Sequence, residues 1–136
     1  MRLYQTDIVV NTNAIATPNT AELAVASSSK ISTLPAPGQS APANPIAHVR
    51  GNVCITPGTA AVAIVIKVYR GGSVAGVLIG TITIFCVATD PIQASIDALD
   101  PTPGATPQYT MSVAQTSGSA AGSVTLSALQ TDILAA

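Results

Sequence analysis

From Ile46 onward, apolar residues recur at every second position in short runs, and the runs are separated by Gly- and Pro-bearing turns. A period of two sends successive side chains to opposite faces of an extended strand, so each run buries one face and leaves the other polar. AHVRGNVCIT sets Ala47, Val49, Gly51, Val53 and Ile55 against His48, Arg50, Asn52, Cys54 and Thr56. TPGT turns the chain. On the next run Val62, Ile64, Ile66 and Val68 are expected to point inward, with Ala63, Val65, Lys67 and Tyr69 opposite. RGGSVAG closes a hairpin, and VLIGTITIFCVA forms its second strand, with Gly80 marking a bulge or a close approach. IQASIDAL reads as a strand or a turn of helix, and DPTPGATP as a loop. QYTMSVAQ alternates Tyr109, Met111 and Val113 with Thr110, Ser112 and Ala114. SGSAAGS turns, and SVTLSALQTDIL is the last strand or a strand plus a tail. Short β-branched strands joined by Gly/Pro turns, with no long amphipathic helical stripe, predict an all-β sandwich or barrel.

The chain of 136 residues fits one domain of common size. Its composition changes near residue 46. Residues 1–45 are rich in Thr, Asn, Ala, Ser and Pro, and LPAPGQSAPANP places four prolines in twelve residues. Such a segment prefers polyproline-like extension. The expectation is an extended N-terminal arm and Pro-rich linker over 1–45, within which ELAVASSSKIST is a strand or part of the arm, followed by a β-sandwich domain over 46–136.

Charge narrows the function classes. Charged residues make up 8% of the chain, against about 25% in an ordinary globular protein. The net charge is −1, and the five cations, Arg2, Lys30, Arg50, Lys67 and Arg70, are scattered. Nucleic-acid binding needs clustered Lys and Arg, so no nucleic-acid partner is expected. No apolar run approaches a membrane-spanning length, and no membrane partner is expected. MRLYQTDIVV has one positive charge followed by Asp7 and lacks the apolar segment of a signal peptide. So little surface charge is easier to understand if much of the surface meets other subunits.

The residue types that do chemistry are sparse. His48 is the lone histidine, and no G-x-S-x-G elbow accompanies it. Asp90, Asp97 and Asp100 fall close together, but two precede proline and read as turn formers; their spacing matches no calcium loop. Asp97 and Asp100 would have to face one cleft to serve a glycan hydrolase. RGGSVAG lacks the ending of a phosphate loop. Cys54 and Cys86 form neither a disulfide framework nor a zinc pattern, and read as two thiols or one bridge. No enzyme activity, metal or cofactor is expected. The notable charges are Arg50 and Arg70, each among apolar neighbours. Either one snorkels, pairs with an aspartate, or crosses a subunit boundary. With Tyr69, a residue type enriched at interfaces, they are the candidate interface residues.

The block VRGNVCITPGTAAVAIVIKVYRGGSVAGVLIGT, a D-P turn and QYTMSVAQTSGSAAGSVTLSAL together resemble tailed-bacteriophage capsid decoration (cement) proteins. The matching features are the apolar alternation Val62–Val68, Arg70-Gly71, Tyr109-Thr110 to Val113, and the turn Ser117–Ser123. They cover about the C-terminal two thirds. The resemblance implies a jelly-roll-like β-sandwich, a virion structural protein made in the host cytoplasm, and a homotrimer. It also implies binding between subunits of the major capsid protein, with no active site. The alternative is a head-fibre or spike domain that binds a host surface.

Overall fold

The computed structural model describes residues 2–12, 15–17, 21–33, 38, 40, 43–116 and 122–135. They form nine strands: β1 (Arg2–Asn11), β2 (Ile15–Thr17), β3 (Leu23–Ser27), β4 (Ile46–Thr56), β5 (Ala63–Arg70), β6 (Val77–Phe85), β7 (Ile92–Asp100), β8 (Tyr109–Thr116) and β9 (Gly122–Ala135). No helix occurs among the described residues, so none there is long and apolar enough to cross a membrane.

Every strand pairing among the described residues is antiparallel. One sheet runs β1-β9-β4-β7, with β2 also on β9; the other runs β3-β8-β5-β6. The pairs are nested. β1 pairs with β9, β3 with β8, β4 with β7 and β5 with β6. A long antiparallel ribbon of that kind rolls up when β9 meets β4 and β8 meets β5, and this closure is the jelly roll.

The alternation sets the core. Ala47, Val49, Val53 and Ile55 of β4 are buried, as are Ile64, Ile66 and Val68 of β5. Tyr109, Met111 and Val113 of β8 meet them, with Ile96, Leu129 and Ile133. Each such aliphatic side chain contributes about 1.5–3 kcal/mol on leaving water. Gly51 lies on the inward face of β4, where a Cβ would overlap Met111 Sδ. The missing side chain is the space the methionine fills. Gly80 is a close approach, since a Cβ there would lie 2.8 Å from Ala98 Cβ. A bulge also sits beside it, in the β5–β6 register between Val68 and Tyr69.

Two expectations change, and one open alternative is settled. Val62 lies outside β5 and is 53% exposed. It belongs to the turn from β4, where its N–H donates to Thr116 O and its carbonyl accepts from Cys86. The segment 92–100 is strand throughout. The N-terminal third contains three strands of the sandwich rather than an arm standing away from it. The fourteen-residue β9 is longer than β4, and β1 fills its other edge from Arg2 to Asn11. β3 pairs with β8, and Ser127 Oγ donates to Val25 O to link β9 to it at 2.8 Å. Beyond β3 the chain stays anchored: Ser28, Ile31 and Thr33 N–H groups donate to Tyr109, Pro107 and Ala105 carbonyls. Of the expected turn Ser117–Ser123, Gly122 and Ser123 belong to β9, while residues 117–121 and most of the Pro-rich segment lie outside the described residues.

Candidate assembly surface

Arg70 ends β5 at the lip of the hairpin, and its partner lies within the same chain. Its Nη1 donates to both carboxylate oxygens of Asp100, at 3.0 and 3.2 Å, and to the carbonyl of Thr102. The Asp100 side chain is 2% exposed. Tyr109 Oη donates to Asp100 Oδ2 at 2.8 Å, and Thr102 N–H to Oδ1 at 3.1 Å. The cluster joins the ends of β5 and β7 to the start of β8. Burial, then the Asp100 carboxylate, pushes the Tyr109 hydroxyl far up, and Arg70 opposes the shift.

Tyr69 is 7% exposed, not an open anchor. Its hydroxyl donates to Glu22 Oε1 at 2.7 Å, and Ser112 Oγ donates to the same oxygen. Glu22 immediately precedes β3, so the pair ties that segment to the sheet. Burial and the Glu22 carboxylate push Tyr69 up to about 12. Burial alone would raise Glu22, but the Ser112 and Tyr69 hydrogen bonds and Lys67 hold it below the usual carboxylate range.

Arg50 remains partly open, with its side chain 44% exposed. It points from the outer face of β4 and donates to Asp132 Oδ2 at 2.6 Å. Asp132 also accepts from Thr6 and Gln130, so one carboxylate joins β1, β9 and β4. Burial would raise Asp132, but bonds from Gln130, Thr6 and Arg50, with the Arg50 charge, hold it low. Nearby, His48 Nε2 lies 2.7 Å from Asp97 Oδ1.

Thus the structure separates the three candidate residues. All three have partners within the chain; Arg50 is the most exposed of them, Arg70 is partly exposed and Tyr69 is buried. Asp97 and Asp100 are three apart on one strand, so they face opposite sides of the sheet: Asp97 is 68% exposed and Asp100 is buried. They share no cleft. No group of three or more metal-ligating side chains converges among the described residues. Cys54 and Cys86 are both free, on different sheets or their flanks, and burial raises the Cys86 thiol. An open groove of about 380 Å³ between β1 and β3 is lined by Val9, Asn11 and Ala24 to Ser27, without a charged side chain.

Large apolar side chains also stand outward. Leu3, Ile8 and Val10 stand exposed on edge strand β1, and Val77, Leu78 and Phe85 on edge strand β6. The outward residues of β1 were hidden in a segment whose composition looked linker-like, although Leu3, Ile8 and Val10 are large apolar side chains. Phe85 had a signal in the sequence: it is the chain's one phenylalanine and lies on an uncharged run.

No protein-family model matches the chain, and no curated protein matches it in sequence. Similar solved structures exist. The VP2 subviral particle of infectious bursal disease virus aligns at a TM-score of 0.58 with 12% identity, over 98% of this chain and 33% of that one. T=1 particles derived from the same virus give 0.57 with 11% identity, over 93% and 31%. A mutant VP2 of that virus gives 0.55 with 13% identity, over 96% and 31%. The chain therefore spans about a third of the length of these structures. At such identities the shared property is the β-sandwich fold.

Proposed function

We propose that this chain is a virion structural protein, a capsid decoration protein that binds between major capsid subunits and stabilises the head. The observation that carries the reading is the distribution of side chains. The fold ties Arg70 and Asp100 to each other and leaves large apolar residues in water along both β1 and β6. Exposed apolar area of that kind is the mark of a protein that works in contact with others. The likeness in fold to the VP2 particles supports a shell context, and the resemblance to phage decoration proteins supports the finer assignment. Activity on this reading is adhesion: a homotrimer presents several copies of one weak contact, and avidity does the rest. No residue is assigned to catalysis, and no cofactor or nucleic acid is involved.

The test is location. An antibody against the purified chain, applied with gold to particles purified from cells that carry the gene, is expected to label the outer surface of heads. Label confined to tail tips would favour the spike or fibre alternative, and absence of the chain from particles would contradict both.

A further inference from the structure

Strand β6 has β5 on one side and, among the described residues, no strand on the other. Nine residues long, it presents unpaired backbone donors and acceptors to water. Natural edges are protected by charge, proline, shortness or a bulge. Here the bulge near Gly80 is the one such device, because no charged residue and no proline occurs from Gly71 to Thr89. Val77, Leu78 and Phe85 are 55%, 48% and 82% exposed, and Val87 just beyond is 67% exposed.

We propose that β6 pairs antiparallel with β6 of a second copy of this chain, extending the β3-β8-β5-β6 sheet across a twofold axis. An edge of backbone groups is satisfied by another extended strand. Charge selects which one. Edge strand β1 carries Arg2 and Asp7, edge strand β7 carries Asp97 and Asp100, and the five-residue β3 is preceded by Glu22. Pairing any of them with β6 sets a charge against a neutral apolar seam. Another β6 sets none. Full overlap in the antiparallel sense brings Val77 of one copy opposite Phe85 of the other, with Thr81 at the centre. The apolar ends then cover each other. A twofold contact uses up both edges and stops, so the pairing does not run on into a fibre. The inference does not rest on where the protein sits on a particle. It adds an independent contact: alone it gives a dimer, and combined with threefold association it gives six copies.

The experiment compares the full-length chain with Thr81→Glu and Thr83→Lys by sedimentation velocity. Both threonines are exposed. Thr81 lies opposite Lys67 within the chain, so a carboxylate introduced at that position is accommodated in the monomer. In the pair, each variant places two like charges at the seam. The wild type is expected to hold an even number of copies, and each variant to raise the dissociation constant of the twofold contact about tenfold or more. Leu99→Lys on β7 leaves it unchanged. Amides of β6 should exchange more slowly as wild-type concentration rises. One or three copies for the wild type, or assembly untouched by both seam variants, would overturn the proposal.

Discussion

Asp100 holds its carboxylate in the interior with Arg70, Tyr109 and the Thr102 N–H around it. A buried charge persists when every lone pair has a donor, and removing one partner of such a pair costs about 3–5 kcal/mol. Arg70 is 29% exposed and Asp100 keeps its other donors, so Arg70→Ala should cost about 2 kcal/mol, below that range. The check is a lower melting temperature with the oligomer size unchanged. Of the alternatives open for Arg70, the pairing with an aspartate is the one seen, and it shows what an isolated arginine in a sequence hides: burial of its counter-ion. Asp132 gives a pH signature. Its carboxyl is held below the usual range in the fold, so its stabilisation is present above about pH 4 and lost as pH falls through the folded value. Asp132→Asn should flatten that acid limb. Tyr69 works in the other direction: raised to about 12, it stabilises fully below about pH 10 and loses that as pH rises through 12. Thr131 Oγ1 is buried with no hydrogen-bond partner. Thr131→Val is expected to raise stability by about 1 kcal/mol in denaturant titration.

At the scale of elements, β4 shows why part of the fold was legible. Its inward positions carry apolar side chains or glycine, and nothing else satisfies a strand buried on one face. Gly51→Ala pushes a methyl into Met111, so a loss of about 1–3 kcal/mol is expected by thermal melting. β8 was legible on its Tyr109, Met111 and Val113 face but not on the other. Thr110 and Ser112 are also buried, Ser112 with Glu22 as its partner. Local periodicity carries no information about a covering segment drawn from far along the chain. β1 was missed for a related reason. Its outward Ile8 and Val10 stay exposed, and its place is set by pairing with β9, more than a hundred residues away. The Pro-rich composition that follows it suggested a tether, whereas β1 and β3 lie on either side of one open groove. The candidate interface residues show the same limit: Tyr69 and Arg70 have the side chains that interfaces favour, and each also has a partner within the chain, Glu22 and Asp100, that the local sequence does not reveal.

For the whole molecule, nested pairing means that the ends of the chain hold each other. Removing residues 1–45 strips β1 from β9 and β3 from β8, and uncovers core that Val25 and Ile31 now cover. The remainder, 46–136, is expected to lose its cooperative melting transition and aggregate; a folded fragment with a sharp transition would show an independent body. The intact sandwich buries Asp100 and Asp132 with their partners and leaves large apolar side chains outward on edge strands β1 and β6, a division suited to association. Light scattering on the full-length chain at micromolar concentration tests this most directly. The expected result is an assembled species of six chains, in which threefold association combines with the β6 seam; three chains would keep the association and remove the seam. A single-chain mass held across the concentration range would contradict it.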